Sequence, residues 1–204
     1  MANSLDAVIK NWVKQNNNNL KIAFPAVVVG VESLSDGLID VQPLVNHINT
    51  VNSQTVKYPI LHDIPVIFPS TKNSTICFPV SQGDFVELVV QSVDIRRFVN
   101  GDGEPHSPSL FSFNNLSNTV AFVGFSPFQH SCFNSNNYKK DFNNQDLNIV
   151  HNKNTENEIT FKLTVDGDLK VLNAKKVSYE CEDFEVNASR RIGLTAPLIS
   201  ENGR

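Results

Sequence analysis

Histidine, cysteine and carboxylate side chains are where chemistry would show first, because they supply general bases, nucleophiles and metal ligands near neutral pH. The five histidines, His47, His62, His106, His130 and His151, are scattered, with no HxH or HExxH spacing and no His/Asp cluster. Their spacing gives no basis for a zinc hydrolase. Cys77, Cys132 and Cys181 stand 55 and 49 residues apart. They form no CxxC pair, and an odd number cannot all pair within one chain, so free thiols are expected. None of the serines lies in a GxSxG turn. Asp36, Asp40, Asp63, Asp84 and Glu87 offer the carboxylates of a glycosidase pair, yet Asp36-Gly37 and Gly83-Asp84 read as turns in which the side chain binds nearby backbone. Gly101-Asp102-Gly103 lacks the third glycine and the helix of a dinucleotide site, and no Walker lysine is present. The expectation is a protein with no catalytic residues, no metal and no cofactor.

The elements that would position these residues follow from composition and pattern. Over 204 residues there are 17 Lys+Arg against 21 Asp+Glu, a formal charge of -4, which suits neither a nucleic-acid coat nor a polybasic membrane anchor. Fourteen Phe against one Trp make Phe the bulk core-former, while Asn, ten Pro and nine Gly supply turns. No window approaches 18 consecutive apolar residues, so no spanning helix is expected. Met1 to Asp6 lacks the basic and apolar regions of a secretory signal, and maturation in the cytoplasm that makes the chain is expected.

Residues 1–19 read as an N-terminal helix and polar linker. Leu5, Val8, Ile9, Trp12 and Val13 fall on one helical face. So short a helix must dock, either on its own domain or on a neighbouring subunit. Residues 20–127 carry short β-branched and Phe-rich runs, Ile22–Val31, Leu38–Leu44, Ile64–Phe68, Ile76–Phe78, Phe85–Val93 and Thr119–Phe125, separated by turn residues. Five or six such strands suit a small Greek-key barrel. Residues 128–155 are Asn-rich with little apolar periodicity and read as a linker or irregular extension.

Residues 156–204 alternate again. Ile159, Phe161, Leu163, Val165, Leu169, Val171, Val177, Tyr179 and Val186 share one face, and Lys162, Lys170, Glu180, Glu182 and Glu185 are placed on the outward, soluble one. Forty-nine residues with one apolar face and no disulfide or metal rarely bury enough surface alone. The stripe therefore packs on the barrel or on further copies of itself; self-association of several copies is the favoured solution, and three chains can wind their strands around a common axis.

The order of these elements resembles the central spike, or membrane-puncturing, proteins of contractile phage tails. The resemblance rests on Asp40-Val41-Gln42-Pro43, on the run Tyr58 to Pro69 with Pro65 and Pro69, on Phe78-Pro79-Val80-Ser81-Gln82-Gly83-Asp84-Phe85, and on Asn118 to Phe125, about 90 residues in all. It implies an all-β protein: an N-terminal OB-fold barrel followed by an intertwined triple-stranded β-helix, assembled as a homotrimer in the virion's tail baseplate. It also implies partners, namely a baseplate hub or tail-tube protein and, transiently, the target membrane. Some members end in a His-x-His iron apex. This chain ends Pro197-Leu198-Ile199-Ser200-Glu201-Asn202-Gly203-Arg204, which carries no such pair and implies a blunt or separately capped tip. About six rungs at about 4.8 Å give a needle on the order of 30 Å. The alternative, an OB-type module for single-stranded nucleic acid or oligosaccharide, meets only Lys21, Lys57, Lys72, Arg96 and Arg97 as basic residues over 20–127. That is too few for a phosphate-tracking groove, and no nucleic-acid partner is expected.

Overall fold

Strand β1, Ala23–Gly30, buries every second residue: Phe24, Ala26, Val28 and Gly30 face inward. The same alternation builds β2 (Leu38–Pro43), which buries Ile39, Val41 and Pro43, and β6 (Phe85–Val90), which buries Val86, Leu88 and Val90. With β5 (Leu61–Ile67) and β7 (Thr119–Val123) these strands close a barrel in the order β1-β2-β5-β7-β6. Every contact around the barrel is antiparallel except β5 with β7, where Val66 faces Ala121. Closure leaves no free edge for another chain to extend. A two-stranded hairpin, β3 (Asn46–Ile48) and β4 (Thr55–Lys57), stands between β2 and β5.

The computed structural model describes residues 5, 9, 10, 22–48, 54–107, 115–131, 143–193 and 195, in two units, Met1–Asn137 and Tyr138–Arg204. Leu5, Ile9 and Lys10 are helical, and the remainder of the expected N-terminal helix, with Trp12, lies outside the described residues. So do Cys132 and the closing segment from Pro197.

The second unit holds a three-stranded antiparallel meander, β8 (Leu147–His151), β9 (Ile159–Leu163) and β10 (Leu169–Leu172). Strand β8 lies inside the segment expected to be a linker. Its apolar residues, Leu147, Ile149 and Val150, are few enough to be lost among the asparagines, but Leu147 and Ile149 take the alternate positions a strand needs. The asparagines have local work. Asn152, Asn154 and Asn173 adopt positive φ of 53°, 64° and 62°, a region that asparagine tolerates better than most side chains. The Asn154 N–H donates to Glu158 Oε2 at 2.6 Å in the β8–β9 turn.

Two other expectations change. Ile76–Phe78 forms no strand: beyond one bridge between Ser70 and Thr75, the segment is held by Ile76 N–H donating to Pro69 O, and the Phe78 ring packs on Phe68. The alternation at Val177, Tyr179 and Val186 is real in sequence, but residues 176–181 and 183–188 form neither strand nor bridge. A strand needs a partner for its backbone groups, and these residues pair with none of the described strands.

Candidate assembly surface

The motif residues of the barrel act on the barrel itself. Asp40 lies within β2 where the register with β5 shifts, accepting from Asp63 N–H at 3.1 Å and meeting His62 Nδ1 at 2.7 Å. Burial pushes the Asp40 carboxyl up, but the His62 hydrogen bond, the Asp63 N–H and the His62 charge together hold it below the usual range. Gln42 donates from Nε2 to Tyr58 O at 2.8 Å, and the Tyr58 ring stacks on Phe24. Pro43 ends β2 against Ala26, Pro65 faces Leu38, and Pro69 supplies the carbonyl that holds Ile76. Pro79 leads into the buried Val80.

Gly83 and Asp84 join two strands. Gly83, at φ 96°, donates to Val28 O at 2.9 Å, Val28 N–H donates back to Asp84 O at 2.9 Å, and the Asp84 carboxylate accepts from Ser81 N–H at 2.8 Å. Farther round, Asp94 is gripped by Arg96 through its guanidinium at 2.6 Å and its backbone N–H at 3.0 Å. Those bonds, with the charges of Arg96 and His106, hold Asp94 at about 2 against the opposing pull of burial. Asp40, His62, Asp63 and Glu32 share a shallow depression of about 210 Å³, but among the described residues no group of three or more His, Cys, Asp or Glu is arranged to hold a metal.

The meander presents a different kind of surface. Directly opposed residues on antiparallel strands point to the same side of the sheet. The registers therefore put Leu147, Leu163 and Leu169 in one row and Ile149, Phe161 and Val171 in the next, with Ile159 beside His151 at the end. All seven apolar side chains lie on one face, and all are 38–61 % exposed.

The other face carries the rows Asn148–Lys162–Lys170 and Val150–Thr160–Leu172. Lys162, expected to face solvent, is only 7 % exposed and pairs with Asp146 at 2.8 Å. The Lys162 hydrogen bond and Val165 N–H, at 2.9 Å, keep the Asp146 carboxyl below its ordinary range. Asn148 donates to Asp146 O and Asn143 O, so the Asn-rich approach to β8 braces the polar side. Lys170 is the solvent-facing member of its row and pairs with Asp168 at 2.9 Å. The polarity is inverted relative to a lone soluble sheet: the polar side is braced and the apolar side is bare.

Of the residues expected to line a shared core, the structure brings Ile159, Phe161, Leu163, Leu169 and Val171 onto this bare face. Val165, Val177, Tyr179 and Val186 are also exposed but lie outside strands, and the Tyr179 ring stacks on Phe184. Leu147 and Ile149 complete the face and were missed with β8. Their alternation with Asn148 was the available signal. The barrel also bears an apolar depression of about 550 Å³ lined by Phe78, Val80, Phe85, Val123 and His130.

Residues 24–124 match the family model described as the phage protein Gp138 N-terminal domain. That span runs from β1 through the turn after β7 and takes in the five barrel strands, so the barrel is the part of the chain that is similar to this phage protein domain. Among curated proteins, none matches the chain.

Proposed function

We propose that this chain is the central spike of a contractile phage tail baseplate, a homotrimer that punctures the host envelope when the sheath contracts. The observation that carries the reading is the apolar face of the second unit, seven side chains that are 38–61 % exposed. The barrel, read as an OB fold, docks on a hub or tail-tube protein. The segment after β10 forms the intertwined β-helix. The match to a phage protein domain supports a virion part rather than a free binding module.

The protein works mechanically in this reading and catalyses nothing. Strands from three chains, hydrogen-bonded to one another around a shared apolar core, resist buckling under axial load, and the energy comes from the sheath. Solution mass of the full chain tests the reading. The expected value is about 68 kDa, three times 22.7 kDa; a stable 22.7 kDa species at micromolar concentration sinks it.

A further inference from the structure

We propose that each chain enters the trimer as one complete wall of a three-sided prism: its own β8, β9 and β10 stay together, and the rows Leu147–Leu163–Leu169 and Ile149–Phe161–Val171 face the axis. This deepens the trimeric reading and rests on it, naming three copies of one surface as the partners and in-chain strand pairing as the way they enter. An interwound spike, in contrast, alternates strands from different chains.

Three observations carry the inference. First, the meander is complete within one chain, with four cross-strand pairs between β9 and β10 and five between β8 and β9. Second, its two faces are unequal: Lys162 is buried against Asp146 on one, whereas the other has no charged carboxylate, ammonium or guanidinium group in either apolar row. An uncharged, regular apolar face is matched by copies of itself and mismatched with an ionic partner. Third, among the described residues the outer edges of β8 and β10 have no strand partner, so a corner can form on each side of the wall.

Size then decides how far this wall suffices. Three strands at about 4.8 Å and five residues at about 3.3 Å give a face of roughly 240 Å² in projection. A stable interface takes about 800 Å² from each partner. The walls therefore hold register, and the chain beyond β10, where Val177, Tyr179, Phe184 and Val186 are exposed, adds the remaining contact by pairing between chains.

Cysteine pairs on the far face separate the alternatives. In the full chain with Cys77, Cys132 and Cys181 changed to Ser, Val150→Cys with Thr160→Cys joins β8 to β9, and Thr160→Cys with Leu172→Cys joins β9 to β10. Neither pair touches the apolar rows. After mild oxidation, the expected result is a trimer in solution whose denatured, non-reduced chains run at single-chain mass with no free thiol. Covalent dimers or trimers on the denaturing gel, with the native mass still trimeric, overturn the prism and leave the trimer standing. Free thiols in both variants overturn the in-chain register. A monomeric native mass in the unoxidised protein overturns the trimer itself.

Discussion

The barrel and the meander use the same alternation of apolar and polar residues to opposite ends. In the barrel, Val28, Ile39, Val41, Val86 and Leu88 are all but fully buried, and the curvature of five strands brings the apolar side of each against the others. In the meander, three strands are too few to close, so the same kind of side chain stays exposed. A dyad pattern thus specifies a buried face but not whose atoms bury it. Strand number and closure make that choice.

The sharpest test of this contrast substitutes a charge on each apolar face. Leu88→Asp places an unpaired carboxylate in a sealed core and is expected to unfold the barrel, at a cost above about 4 kcal/mol. Its cooperative transition in circular dichroism then disappears. Leu163→Asp is expected to leave that transition in place and to lower the native mass from about 68 kDa toward 22.7 kDa. If both substitutions unfold the barrel, the two units are not independent. The gentler Leu88→Ala is expected to cost about 2–5 kcal/mol in denaturant unfolding, the usual range for a core leucine.

The next effects concern how each region is braced. Gly83→Ala forces a side chain into a positive-φ turn and is expected to destabilise the barrel by about 1–2 kcal/mol, read from the denaturation midpoint. Asp146→Asn removes the carboxylate from buried Lys162 and is expected to raise hydrogen exchange in β8 and β9 while barrel amides stay protected.

The smallest effects are pH-dependent. Asp40, Asp94 and Asp146 are all held below the ordinary carboxylate value of 3.8, Asp94 at about 2. A lowered folded-state pKa contributes stability that is present above the unfolded value and lost as pH falls through the folded one. Thermal midpoints are therefore expected to drop between about pH 4 and pH 2. Asp94→Asn should flatten the barrel's share of that drop and Asp146→Asn the meander's. A slope unchanged by Asp94→Asn would show that its ion pair adds nothing to folding.

Much of the barrel is legible in the sequence. Phe24, Ala26 and Val28 alternate along β1, Val86, Leu88 and Val90 along β6, and Gly83-Asp84 marks the turn that leads into β6 and bonds back to Val28. Ile76–Phe78 misled because a run of apolar residues needs a neighbouring strand as well as a propensity. Lys162 misled in the opposite sense: lysine in an alternating strand reads as solvent-facing, and only Asp146, sixteen residues earlier, makes its burial possible. That pairing is non-local, so no window around Lys162 contained it.

The sequence by itself determined the mostly-β character, the alternation along β1, β2, β6 and β9 and the turn at Gly83-Asp84, because these depend on local period and backbone preference. The tertiary structure alone decided that five strands close while three do not, and that the polar side of the meander is the braced one. It also decided that the asparagine-rich approach to β8 belongs to the sheet. Those outcomes depend on contacts between residues distant in the chain, which local pattern does not encode.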